Sequence, residues 1–434
     1  MAEDSLHARS AIVSAQFEQL RRLLAALVPA NSFYTNKLSR TGAIIANLEK
    51  FSETFPFTTK QEIVDDQRAH PPHGTNLTFP PDRYTRFHQT SGTTGAPIRW
   101  LDTPESWNWM VENWTEILRA AGVAARDRIF FAFSFGPFIG FWLAFEAAQR
   151  LGCLCIPGGG LGSAARLKLM IDNGATALCC TPTYALRLAE VAAEEEIDLR
   201  RAKVQTLIVA GEPGGSVPAL RARLQKLWHG ARVFDHHGMT ETGPVTYECP
   251  KQAGVLHVIE PAYLAEVIEP ASGKPVEAGQ QGELVLTTLG RVGSPLLRYR
   301  TGDLVKPVQR PSSIAPQPCI CGRHILALEG GILGRVDDMV VIRGVNIFPS
   351  AVEDIIRACG DVAEYRVTVN RVHSLTELSV QVEPTTECSR PLALAGRLEK
   401  DFQDAFALRV PVTPVPTGTL PRFEMKAKRW VTAG

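Results

Sequence analysis

Ala177-Leu178-Cys179-Cys180-Thr181 and Thr206-Leu207-Ile208-Val209-Ala210 are two short apolar runs with an amphipathic stretch, 183–196, between them. A continuous apolar run of this length reads as a strand buried on both faces. The pattern extends in both directions. Ile129–Phe133 and Arg232–Asp235 read as further strands, and 139–151, 164–173 and 217–228 as helices. Strand and helix in alternation predict a mainly parallel sheet covered by helices, with ligands bound beyond the carboxyl ends of the strands. Gly211-Glu212-Pro213 and His236-His237-Gly238-Met239-Thr240-Glu241 sit at two such ends.

Upstream, residues 8–30 read as an amphipathic helix. Arg83–Gln89 and Ile98–Leu101 read as an outgoing and a returning strand. Thr103 is placed to cap a helix that has Pro104 at its first position, and Gly122 to end it. Trp107, Met110, Val111, Trp114 and Leu118 share one face of that helix and read as core. Downstream, 255–310 is a series of short strands. After Gly334 comes a small unit of strand (339–343), helix (350–358), strands (364–370 and 376–383) and helix (392–407). The expected fold is an α/β large N-terminal domain, 1–334, of parallel sheets with helices plus a β-rich subdomain. A small α+β C-terminal lid domain, 335–434, follows it.

A chain of 434 residues exceeds what one hydrophobic core organises, which supports more than one domain. The net charge of +1, without a long basic run, argues against a nucleic acid or an acidic membrane surface as partner. The longest uncharged run, Ile129–Phe145, is interrupted by Gly136, Pro137 and Gly140, so it reads as a strand leading into a helix rather than a membrane span. Nine cysteines, an odd number with no visible secretory signal, point to reduced thiols in the cytoplasm.

Ser91-Gly92-Thr93-Thr94-Gly95-Ala96-Pro97 joins the outgoing and returning strands. Successive backbone N–H groups and hydroxyls in such a loop form an anion-binding nest. It is not a Walker loop: the lysine is missing, with Ala96 standing near the loop's end, and a strand rather than a helix follows. Taken alone, the stretch also fits a plain hairpin.

Five motifs in order settle its meaning by resemblance: Thr90–Gly95, His237-Gly238-Met239-Thr240-Glu241-Thr242-Gly243, Tyr299-Arg300-Thr301-Gly302-Asp303, Gly334-Arg335-Val336-Asp337-Asp338 and Leu420-Pro421-Arg422. This set resembles the adenylate-forming superfamily of acyl-CoA synthetases. The short length and Ile342–Pro349 are most similar to its phenylacetate-CoA ligase branch. The resemblance implies that Ser91, Gly92, Thr93, Thr94 and Gly95 hold the ATP phosphates. It implies that Thr240 bonds the α-phosphate, that Glu241 helps bind Mg²⁺, and that Asp303 grips the ribose hydroxyls. Gly211, Glu212, Pro213, Asp235, His236, His237, Gly238, Met239 and Arg335 complete the implied nucleotide set. Lys426 aligns with the family's catalytic lysine, with Lys428 as the rival and Met425 where the family has glycine. Asp337 aligns with the hinge between large domain and lid. On local chemistry alone, Met239–Thr242 fits a helix N-cap, Thr-Gly-Asp a turn, and Lys426, Lys428 and Arg429 a solvated basic tail. Arg99 is a candidate substitute for the missing loop lysine.

Phe133, Phe135, Phe138, Phe141 and Trp142 follow a strand end in the region where the family lines its aryl pocket. Phe133, Phe138, Gly211 and His236 are the pocket candidates, and ordinary core is the alternative for many of these rings. Cys249, His257, Cys319 and Cys321 offer three thiolates and an imidazole, a donor set for structural zinc, and matching residues occur in phenylacetate-CoA-ligase-like proteins. Their C-x-C spacing is tighter than the common C-x₂-C, and four unrelated buried residues remain the other reading.

The expected function is an ATP-dependent, AMP-forming aryl-CoA ligase using ATP, Mg²⁺ and coenzyme A on a benzoate, anthranilate or phenylacetate type of acid. Two alternatives stay open: loading of an aryl acid onto a carrier protein in trans, and a catalytically silent ligand-binding homologue. The expected partners are small molecules, with no nucleic acid and no membrane, and a homodimer is left open.

Overall fold

The structure, a computed structural model, describes residues 2–39, 45–90, 97–308, 318–338, 340–342, 345–372, 375–423 and 427–432. Its centre is a five-stranded parallel sheet in the order Leu154–Pro157, Arg128–Phe131, Ala177–Cys180, Thr206–Val209, Arg232–Asp235. Helices Ile139–Arg150, Ser163–Asp172, Pro182–Glu194 and Pro218–Leu227 provide the crossovers. Four of the five strands lie where the apolar runs place them. The fifth, Leu154–Pro157, is an edge strand that the sequence reading missed: its apolar run is short and ends in proline.

Local rules explain the helix ends. Thr103 and Thr181 each accept a hydrogen bond from the backbone N–H three residues on, and proline follows at the first helical position. The helix Pro104–Ala120 buries Trp107, Met110, Val111, Trp114 and Leu118 against the central sheet and the β-rich region. Gly122 at φ +85° ends it. Arg86–Gln89 and Arg99–Asp102 pair antiparallel. The Gly/Thr loop between them, 91–96, lies outside the described residues.

The β-rich region holds two sheets. One has the order Tyr263–Ile268, Gly282–Thr288, Tyr299–Val305, Gly334–Arg335; the other has the order Thr246–Glu248, Val255–Val258, Ala327–Glu329. The C-terminal region builds its own core from Ile342, Ile347, Val352, Ile356, Val367, Val380, Leu398 and Phe402. There the strands Val362–Val372 and Leu375–Pro384 pair antiparallel, with helices Pro349–Ala358 and Pro391–Phe406 packed on them. Two short strands escaped the sequence reading: Val412–Pro414 and Trp430–Thr432 add to the outer edges in parallel register. The expected strand at 339–343 is half of a hairpin, Val340–Ile342 with Val345–Ile347. No helix among the described residues is long and apolar enough to cross a membrane.

Candidate active site

Three adjacent strand ends converge. Thr181–Thr183, Gly211–Ser216 and Asp235–His237 leave the sheet side by side. Gly211 at φ +93° and Gly214 at φ +135° turn the chain sharply enough to lay its side groups over the sheet edge. Glu212 accepts from the Thr183 N–H at 2.8 Å. Ser216 Oγ donates to Asp235 Oδ2 at 2.6 Å, and Asp235 is buried. Burial pushes the Asp235 carboxyl up to about 7. Its neighbour His236 is buried edge-on against Trp114, with ring centroids 4.3 Å apart. Burial lowers that imidazole to about 3, so it stays neutral at physiological pH.

His237–Gly243 is a tight hairpin, Gly238–Met239 against Gly243–Pro244, and not the start of a helix. Gly238 sits so close to the Gly243 carbonyl that a Cβ would lie 2.8 Å from it. At the tip, Thr240 and Glu241 are held from behind by Arg291, whose Nη1 donates to both of their carbonyls at 2.8 Å. The same guanidinium binds Asp102 through two bonds of 2.7 Å, and both side chains are fully buried. The Glu241 carboxylate lies 3.8 Å from Lys60 Nζ. Sequence reading missed Arg291, Asp102 and Lys60. Arg291 and Asp102 are 189 residues apart, and no local motif joins them.

Across from the hairpin, the strand Tyr299–Val305 carries Asp303, which is 4% exposed. Its Oδ1 accepts from Arg335 Nη1 at 3.0 Å, and its Oδ2 lies 3.1 Å from His237 Nε2. Arg335 also donates to Asp337 at 3.1 Å. Four of the motif residues, His237, Asp303, Arg335 and Asp337, are thus one linked cluster. Phe133 packs in the core with Phe131 and Phe135, while Phe138 is the half-buried residue preceding the helix Ile139–Arg150. Phe135 and Trp142 stack edge-on at 5.0 Å. Arg99 is exposed and donates to the Pro72 carbonyl at 2.9 Å.

Lys426 lies outside the described residues, but its neighbours do not. The Ala427 N–H donates to Glu212 Oε2 at 3.0 Å. Lys428 is exposed. Arg429 is no tail charge: it is buried, donates to both oxygens of Glu364 at 2.6 and 3.1 Å, and reaches Thr183 Oγ1 at 3.3 Å.

In the β-rich region, one ligand atom from each of Cys249, His257, Cys319 and Cys321 falls within 4.8 Å of the others. Cys249 and Cys319 Sγ are 3.7 Å apart, and Cys321 Sγ is 3.3 Å from His257 Nε2. A turn at Gly322, φ +87°, closes the Cys319–Cys321 loop.

An acidic hairpin tip, a buried carboxylate on the opposite strand and a C-terminal segment docked at the strand ends make up the candidate site, and likeness to known proteins gives its class, an acid–thiol ligase of the adenylate-forming type. Residues 33–290 match the AMP-binding enzyme family, and residues 344–433 match the AMP-binding enzyme C-terminal domain. The phenylacetate-coenzyme A ligase of Thermus thermophilus is 30% identical over 438 residues, 96% of this chain and 95% of that one. Two structures of 2-hydroxyisobutyryl-CoA ligase are also similar. The postadenylation state with 2-hydroxyisobutyryl-AMP gives a TM-score of 0.90 at 27% identity, over 97% of this chain and 89% of that one. The thioesterification state with coenzyme A gives 0.72 at 28%, over 98% and 90%. The chain belongs to the AMP-binding enzyme family, in its phenylacetate-CoA-ligase-like branch.

Proposed function

We infer that this chain is an AMP-forming aryl-CoA ligase. An aromatic carboxylate attacks the α-phosphorus of ATP, expelling pyrophosphate and leaving an acyl-adenylate. The sulfur of coenzyme A then attacks the acyl carbon and AMP departs. The His237–Asp303–Arg335 cluster facing the 238–243 hairpin is the observation that carries this reading. A buried carboxylate with one oxygen held by Arg335 keeps lone pairs for two vicinal hydroxyls. That is the chemistry a ribose asks for.

In this reading Ser91–Gly95 cradle the phosphates, Thr240 meets the α-phosphate, and Lys426 stabilises charge as it develops in the attack. Glu241, a buried carboxylate beside Lys60, is suited to a hard divalent cation such as Mg²⁺, which supplies charge neutralisation for the polyphosphate. His236, neutral on Trp114, offers an imidazole edge to a ring substituent, with Phe133, Phe138 and Gly211 as further pocket walls. Gly238 and Met239 shape the hairpin, and Gly211 and Pro213 shape the opposite lip. The division into a large domain, 1–334, and a lid, 335–434, with Asp337 as hinge, is supported by the separate core of the C-terminal region.

The Cys249–His257–Cys319–Cys321 set fits a closed tetrahedral zinc site, since three soft thiols and an imidazole converge. Such an ion would be structural, tying the 319–322 loop to the strands beside it. The free state of all nine cysteines supports a reducing, cytoplasmic setting. The test of function is pyrophosphate release across a panel of benzoates and phenylacetates. Acid-dependent release with thioester formation on free coenzyme A supports the ligase; release with no discharge to coenzyme A favours a carrier-protein acceptor.

A further inference from the structure

The match to the postadenylation state of a relative, far closer than to its thioesterification state, means that the C-terminal region sits in one of two alternative places. Contacts across that junction therefore belong to one place and not the other. Among the described residues after 338, three hydrogen bonds cross it, beside an ion pair of Arg422 Nε with Glu190 Oε2 at 3.6 Å. Glu212 Oε2 accepts from the Ala427 N–H at 3.0 Å. Arg429 Nη1 donates to Thr183 Oγ1 at 3.3 Å. Arg223 Nη1 donates to the Val362 carbonyl at 2.6 Å. Glu212 is itself fixed, because its other oxygen accepts from the Thr183 N–H at 2.8 Å. Arg429 is fixed on its own side by two bonds to Glu364.

We propose that Glu212 is a positioning residue: it clamps the backbone beside Lys426 during adenylation, with Arg223 as a second clamp on the strand Val362–Val372. The inference rests on the two-step reading above and goes beyond it by naming what holds the first step's arrangement. Covalent geometry makes the clamp effective, because consecutive Cα atoms stay 3.8 Å apart across a trans peptide. Holding the Ala427 N–H therefore restrains the chain one residue from position 426. Both oxygens of Glu212 already serve protein N–H groups. A carboxylate is needed here rather than an amide, since Gln would turn an NH₂ toward one of two donors.

The test uses full-length protein, with phenylacetate or benzoate as the acid, whichever the wild type adenylates. Glu212→Gln is expected to lower the rate of pyrophosphate release about 10- to 100-fold, as a misplaced reacting group does, with KM for ATP and for the acid unchanged. Arg223→Met, on the helix Pro218–Leu227, is expected to lower pyrophosphate release about tenfold, the loss of roughly one charge-assisted hydrogen bond. It should leave thioester formation from supplied acyl-adenylate and coenzyme A at the wild-type rate. Raised KM with unchanged turnover in Glu212→Gln would instead make Glu212 a ligand-binding group and overturn the proposal. Equal loss of both half-reactions in Arg223→Met, or no loss in either variant, would also overturn it. Thermal melts of both variants separate these outcomes from misfolding. Failure of the wild type to release pyrophosphate with any aromatic acid would instead remove the ligase reading, and the clamp with it.

Discussion

Two buried arginines show how differently the two halves of this site are built. Arg291 lies wholly inside the large region and meets Asp102 through a two-bond fork at 2.7 Å, with neither side chain exposed. Arg429 makes a similar fork, but to Glu364 within the C-terminal region, and crosses to the large region by one longer contact to Thr183. The forks rigidify each half, while the junction relies on single charge-assisted hydrogen bonds worth about 1.5–3 kcal/mol each and on one looser ion pair, Arg422 with Glu190. In the two-step reading proposed above, the groups that stay put, Thr240 and Glu241, are backed by a fork, and the segment that would arrive and leave is held by bonds that can be exchanged.

The largest expected effect breaks the mobile half. Lys426→Ala should cut acid-dependent pyrophosphate release by about 10²–10³-fold, the scale of losing one preorganised charge-stabilising donor. Lys428→Ala, at an exposed position, should stay near wild type. Loss with Lys428→Ala and not with Lys426→Ala would exchange the two assignments. Next, Arg291→Met breaks the fixed half and strands the Asp102 carboxylate in the core. Urea unfolding should show a loss of about 3–5 kcal/mol, and Arg291→Met with Asp102→Leu should recover much of it. A single variant as stable as wild type would show that the fork does not secure the hairpin tip.

Metal content sharpens the comparison from a third place. Protein purified without chelator should carry one zinc per chain, and Cys321→Ala should lose both the ion and several degrees of Tm. Wild type free of metal would leave the four residues a thiol cluster only. The last effect concerns Asp235 and reads as a pH dependence. Its folded pKa, about 7, lies above the ordinary value of 3.8, so the folded state holds the extra proton. Stability from this group is therefore full at low pH and is lost as pH rises from about 4 to 7. Asp235→Asn keeps an acceptor for Ser216 and should remove that loss, so its Tm relative to wild type should rise across this window. A constant difference would contradict the assignment.

Much of the fold was legible because its signals are local. Ile129–Phe131, Ala177–Cys180 and Leu207–Val209 are continuous apolar runs, and two helix starts carry Thr-Pro caps. The edge strand Leu154–Pro157 was not, because its apolar run is short and ends in proline. The motifs proposed to bind the nucleotide could be picked out in the chain, and the structure links His237, Asp303, Arg335 and Asp337 as one cluster. What supports them was hidden. Arg291 depends on an aspartate 189 residues away, and Arg429 looked like a basic tail because Glu364 and Thr183 are distant in sequence. The 239–242 stretch fits a helix cap by composition, and only the pairing of Gly238–Met239 with Gly243–Pro244 makes it a hairpin.

The central claim is a two-step ligation of an aromatic acid. A single coupled assay tests it: pyrophosphate, AMP and thioester measured together with ATP, Mg²⁺, an aromatic acid panel, and coenzyme A added after a delay. The account predicts acid-dependent pyrophosphate before coenzyme A, then one AMP and one thioester for each pyrophosphate after it. No pyrophosphate with any aromatic acid, or an adenylate that coenzyme A leaves intact, would contradict it.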